Sequence, residues 1–105
     1  MNDPQWVEAA RKLAERGIKA APTTEGRLDF LARATLARPL EPRELGVLRG
    51  SAEKFGARFG GDAEGSAALL KVGESKSDDS IAPAELAQWT LVASQFLNLD
   101  EFLNK

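Results

Sequence analysis

The chain has 105 residues, 43% of them apolar and 29% charged, with a net charge of −2. That length suits one domain, burying about two-thirds of the surface its unfolded form exposes. Cysteine, histidine and tyrosine are all absent, which excludes disulfides, thiolate and imidazole metal sites, attached haem, and every mechanism that relies on those side chains as nucleophile or base.

No apolar run approaches the ~18 to 20 residues needed to cross a bilayer. The opening MNDPQWVEAARK sets an acid and a proline where an export signal needs a basic start and an apolar stretch. The chain as it stands reads as soluble and without an export signal. Charge is uneven along it. Residues 1–60 carry eleven Lys and Arg against eight Asp and Glu, while residues 61–105 carry three against eight. Opposite signs on two halves of a small domain point first to mutual attraction, or to solvated faces of different character.

Asp3-Pro4 is a helix start: the aspartate can accept from free N–H groups of the first turn, and proline there has no N–H to lose. This helix is expected to reach about Arg16 and end at Gly17, with Trp6, Val7, Ala10, Leu13 and Ala14 on its apolar side and Trp6 as a core anchor. Residues 20–25 form a connector, and Thr23 or Thr24 can cap a second helix over about 25–37. Leu28, Leu31, Ala32, Thr35 and Leu36 are its inward candidates. Phe30 and Ala34 lie towards the opposite side, so this helix is expected to be covered on two faces.

Arg38-Pro39-Leu40-Glu41-Pro42 stops one helix and starts the next. The third helix, about 42–59, has the cleanest periodicity: Leu45, Leu48, Ala52, Phe55 and Phe59 step by three or four, a seam suited to antiparallel packing. Its other side carries Arg43, Glu44, Arg49, Glu53 and Arg58, read as a solvated mixed-charge face. Gly60-Gly61 breaks the chain, and Asp62 caps a fourth, weaker helix to about Val72, packing through Ala63, Ala67, Leu70 and Leu69. Residues 73–80 read as an exposed polar loop.

The most apolar helical run is residues 81–97. Ala82, Leu86, Trp89, Ala93, Phe96 and Leu97 share one side, wide enough to be wrapped by other elements. Asn98 is expected to help end this helix, with Asp100 capping a final short turn that contains Phe102 and Leu103. No segment shows sustained strand alternation, so the predicted fold is all-α: one domain over residues 1–105, an irregular antiparallel bundle of four or five helices with residues 81–97 at or near its centre.

With histidine and cysteine gone, carboxylates are the remaining candidates for catalysis or metal binding. Glu74, Asp78 and Asp79 share a loop, but lack the alternating oxygens, central glycine and closing glutamate of a helix–loop–helix calcium site. Asp100 and Glu101 are adjacent and point apart, which does not support paired-carboxylate chemistry. Ser75-Lys76-Ser77 has the residue types of a serine–lysine pair, yet nothing apolar surrounds the lysine to lower its pKa. The glycines make no phosphate-cradling motif. The sequence therefore nominates no catalytic, cofactor-binding or metal-ligating residue, and no cofactor.

Taken together and in order, NDPQWVEAARKLAER, RLDFLARATLARPLEPREL, VGES and PAELAQWTLVASQFLNLDEFL resemble the C-terminal part of the planctomycete-specific domain of large exported proteins that also carry cytochrome-c-like domains. The likeness runs over nearly the whole chain. Asn2-Asp3-Pro4, Arg38-Pro39 and Asn98-Leu99-Asp100-Glu101 are its most specific pieces. The resemblance implies a domain of unknown function, outside the cytoplasm and beside a haem module, with no catalytic residue to carry across. This chain lacks the Cys-x-x-Cys-His haem attachment sequence and reads as a C-terminal segment or a short relative. It departs from the family at Glu41, where a Ser or Thr helix cap is expected, and at Phe102, where many relatives have a smaller polar residue.

The expected function is that of a non-enzymatic helical structural or docking module, packing on the rest of a larger exported protein or on a protein partner. One alternative is a carboxylate-dependent enzyme fragment completed by upstream residues, requiring Glu74, Asp79, Asp100 and Glu101 to converge. Another is a weak nucleic-acid binder, requiring Arg27, Arg33, Arg38, Arg43 and Arg49 on one face.

Overall fold

A computed structural model describes residues 3–73 and 76–103, with side chains to residue 100. Five helices follow one another: α1 Pro4–Ala20, α2 Thr24–Leu36, α3 Pro42–Gly60, α4 Ala63–Leu70 and α5 Pro83–Leu103. No strand occurs among the described residues. The all-α bundle expected from periodicity is the fold observed.

Each start is fixed by local chemistry. Asp3 Oδ1 accepts from the Gln5 N–H at 2.7 Å, Thr23 Oγ1 from Gly26 at 3.0 Å, and Asp62 Oδ1 from Gly65 at 2.8 Å, so three helices have a side-chain N-cap. The fourth answers the doubt raised by Glu41. Glu44, on the third residue of α3, reaches back and accepts from the Glu41 N–H at 2.9 Å, while Arg38 forks onto the same carboxylate at 2.8 and 2.9 Å. The N-cap N–H thus finds its acceptor on the glutamate one turn on, the backward-reaching half of a capping box.

The ends differ more from expectation. Gly17 does not stop α1, which runs on to Ala20. Gly17 is buried inside the helix, where α2 comes so close that a Cβ would lie 3.5 Å from Leu31 and Phe30. The glycine marks a helix crossing rather than a terminus. Ala37, without a glycine's freedom, ends α2 in the left-handed conformation at φ 59°. The fourth helix closes at Leu70, short of Val72, and buries Ser66 and Leu70 while Ala63 and Ala67 stay exposed.

The last helix begins two residues later than expected, at Pro83. Ile81 is buried just before it and Ala82, assigned to the core face, is exposed. It then passes through Asn98 and Asp100 to Leu103 with no break. The predicted cap and short final turn are thus absent: both side chains sit on a helix that is already propagating, where adding a residue costs less than nucleating a new turn. The Phe102 side chain lies outside the described residues.

α5 contacts all four other helices. Leu86, Ala87, Trp89, Thr90, Val92, Ala93 and Phe96 are buried, an arc well over half its circumference and wider than the single predicted face. Thr90 is tolerated there because its hydroxyl donates to the Leu86 carbonyl at 2.7 Å. α2, expected to be covered twice, is not the centre: Leu28, Leu31 and Ala32 are buried, Phe30 is half-buried and Ala34 is exposed. Both α1 and α3 run antiparallel to α5. Trp6, early in α1, donates to Ser94 Oγ at 3.0 Å, whereas Glu15 and Lys19 hold Asp78 in the segment leading into α5.

The two charge-biased halves meet directly. Lys19 pairs with Asp78, and Arg27 with Glu85 at 2.9 Å, in each case a cation of the first half with an acid of the second.

Candidate functional site

A side-chain amide bridges the α3–α5 interface. Gln88 donates through Nε2 to the Ala52 carbonyl at 2.8 Å, and Gly56 leaves room for that amide, since a Cβ there would fall 2.8 Å from it. Towards the start of α3 and the end of α5 the contact opens. The result is a groove of about 480 Å³ lined by Val47, Leu48, Ser51, Gln95, Asn98 and Leu99. Leu48 is buried at its base. Val47 stands on its rim at 65% exposure, the one large hydrophobic left exposed among the described residues.

The register of α3 explains this placement. The inward seam, Leu45, Leu48, Ala52, Phe55 and Phe59, is half-buried or buried throughout, as the spacing predicts. Val47 lies one residue off it, beyond the reach of α5. The same ridge carries Arg43, Ser51, Lys54 and Arg58 at steps of three and four from one another and from Val47. Arg43, Lys54 and Arg58 are exposed and pair with no carboxylate among the described residues. Arg58 lies over the Phe59 ring at 5.1 Å.

The other arginines of α2, α3 and the connector between them are differently occupied. Arg27 donates to the Ala21 carbonyl at 2.8 Å and to Glu85 at 2.9 Å, with its guanidinium 5.6 Å from the Trp89 ring. Arg33 binds Asp29 at 2.9 Å, Arg38 binds Glu44, and Arg49 lies 3.5 Å from Glu25. Of the five arginines named for a polyanion, Arg27, Arg33, Arg38 and Arg49 are thus engaged with carboxylates, Arg27 folded against α5, and Arg43 alone is not.

The named carboxylates do not gather either. Asp79 is exposed and 3.4 Å from Lys76, ahead of α5. Asp100 is half-buried near the far end of α5, about 25 Å along the helix axis at 1.5 Å per residue. Glu74, Ser75 and the Glu101 side chain lie outside the described residues. Among those described, no group of three or more acidic side chains could hold a metal ion, and no helix is long and apolar enough to cross a membrane.

Two side chains organise the molecule: Arg11, which sequence reasoning passed over, and Asp78, which it named only as a loop carboxylate. Arg11, only 1% exposed, donates to the carbonyls of Leu70 at 3.1 Å and Val72 at 3.3 Å, while Glu8 and Glu15 lie 4.0 and 3.9 Å from its guanidinium. It satisfies the last carbonyl of α4 and one in the segment just after it with charge-assisted bonds. Its sequence signal is an arginine set four residues after Val7, on the apolar stripe, between acids at i−3 and i+4. Asp78 is the second. It receives Lys19, its Oδ1 accepts from the Ser80 N–H and hydroxyl at 2.8 and 2.6 Å, and its own N–H donates to Glu15 at 2.8 Å. Lys19, then Ser80, hold the Asp78 carboxyl well below the usual carboxylate range.

Comparison with known protein families, characterised proteins and solved structures gives no match to this chain.

Proposed function

We propose that this chain is a non-enzymatic helical docking module, a segment of a larger exported protein of the planctomycete-specific type, which packs on the rest of that protein or on a protein partner. The observation that carries the reading is the open groove between α3 and α5, with Val47 exposed on its rim. A single exposed aliphatic side chain is ordinary on a protein surface, but one beside an apolar recess is the arrangement by which a partner anchors. The resemblance of four segments in register supports the family, and a groove lining with no titratable side chain supports binding over catalysis.

Photo-cross-linking in the native host tests this. A photoreactive residue at position 47 is expected to capture one discrete protein, or another region of a longer parent chain, that the same group at exposed Lys12 does not. Identical labelling from both positions, or none from position 47, removes the reading.

A further inference from the structure

We infer that the α3–α5 groove receives an acidic amphipathic helix. This deepens the docking reading and rests on it. The groove offers an apolar floor from Leu48 and Leu99 with Val47 at its edge, the surface that takes a helix presenting apolar side chains at i, i+3 or i+4, and i+7. One turn to either side of its α3 lining stand Arg43 and Lys54, two exposed cations that pair with no carboxylate among the described residues, whereas Arg27 and Arg33 on α2, Arg38 in the α2–α3 connector and Arg49 on α3 all have an ion pair. The opposite wall contributes only the neutral amides of Gln95 and Asn98. One side of the groove is therefore positive and uncompensated, and the side chains complementary to it are carboxylates lying beside the occupant's apolar stripe.

Open space lies beyond the missing Cβ of both Gly46 and Gly50, which flank Val47 on its solvent side, so an occupant's backbone can come close to α3. A second copy docking face to face would set Arg43 and Lys54 against their own symmetry mates, a like-charge contact. A nucleic acid would satisfy the cations but gain nothing from the apolar floor, since phosphate contacts dominate that kind of binding.

Fluorescence anisotropy on the full chain provides the test. The probes are a labelled peptide of about 16 residues with a leucine stripe and glutamates on its other faces, the same peptide with lysine for glutamate, the same with serine for leucine, and a DNA duplex. The acidic leucine peptide is expected to bind about tenfold or more tighter than either control peptide. Val47→Asp, and separately Arg43→Glu with Lys54→Glu, should each weaken it by about tenfold with helicity unchanged by circular dichroism. The charge-reversed variant should gain affinity for the lysine peptide.

Equal binding of the lysine and glutamate peptides would overturn the acidic partner while leaving docking intact. DNA binding unaffected by Val47→Asp would make the ridge a polyanion site, and concentration-dependent self-association abolished by Val47→Asp would assign the groove to a second copy; either overturns the inference. Absence of peptide binding also overturns it, and the cross-linking result at position 47 then decides separately whether the groove docks any protein.

Discussion

Arg11 is the charged residue whose loss the fold should feel most. Its guanidinium is enclosed, it satisfies two carbonyls at and just after the end of α4, and two acids lie beside it. Truncation to alanine leaves those groups without their cation in a site closed to solvent. Arg11→Ala should therefore lower unfolding free energy by roughly 3 kcal/mol, read as a shifted urea midpoint. Arg11→Lys should recover only part, because an ammonium on a single stem cannot reproduce the guanidinium's spread of donors. Periodicity could not have found this residue, since it scores a charged side chain as surface. The groove was equally illegible: Val47 is one apolar residue on a face reading as solvated, and its meaning depends on where the end of α5 lies.

Glu44 supplies a pH signature. Arg38, and after it the Glu41 N–H, hold its carboxyl down to about 2 from an ordinary 4.5. A carboxyl that binds its proton more weakly folded than unfolded adds stability above the unfolded pKa and gives it up as pH falls through the folded one. The contribution of the Arg38–Glu44 pair should be complete above pH 4.5 and fade towards pH 2. For a partly exposed pair it is at most about 1 kcal/mol. Chemical denaturation across that window should show a shallower acid slope for Glu44→Gln than for the parent. Asp78, also held down, adds in the same direction.

At the level of single helices, starts were legible and ends were not. Asp3, Thr23 and Asp62 cap where the sequence places caps, because a cap is a contact between residues two or three apart. Termination is set by tertiary packing. Gly17 has a terminator's chemistry, yet α2 packs across it; Asn98 and Asp100 have cap chemistry, yet α5 runs on through both. A methyl group at Gly17 would meet Leu31 and Phe30 at 3.5 Å, ordinary van der Waals distance. Gly17→Ala should thus stabilise the protein by about 0.5 to 1 kcal/mol, a result incompatible with a left-handed terminus at that position. Gly46→Ala and Gly50→Ala point into open space and should each add up to about 1 kcal/mol. If a helix docks over them, the same pair of changes should weaken acidic-peptide binding while raising the thermal midpoint, so the two readouts separate stability from recognition.

Across the whole molecule, the fold class and the central place of the last helix follow from the sequence. That helix is the most apolar stretch, and a helix buried over most of its circumference must be apolar on most of its faces. The place of the α3–α5 groove does not follow, because it is defined by an interface that stops short. The core depends correspondingly on α5: Phe96, wholly buried, should cost about 3 to 5 kcal/mol as Phe96→Ala, enough to unfold a marginally stable domain of this size. Loss of the cooperative transition in differential scanning calorimetry would be the reading.

The order of the helices along the chain also sets when folding can happen. α1 to α4 emerge from the ribosome before the element that all four pack against, so their apolar faces have only one another until α5 follows. A newly made chain should hold little protected structure until residues beyond Phe96 are free, and then close in a single step. Nascent chains arrested after residue 80 should be cut readily by protease, and those with α5 fully extruded should resist it.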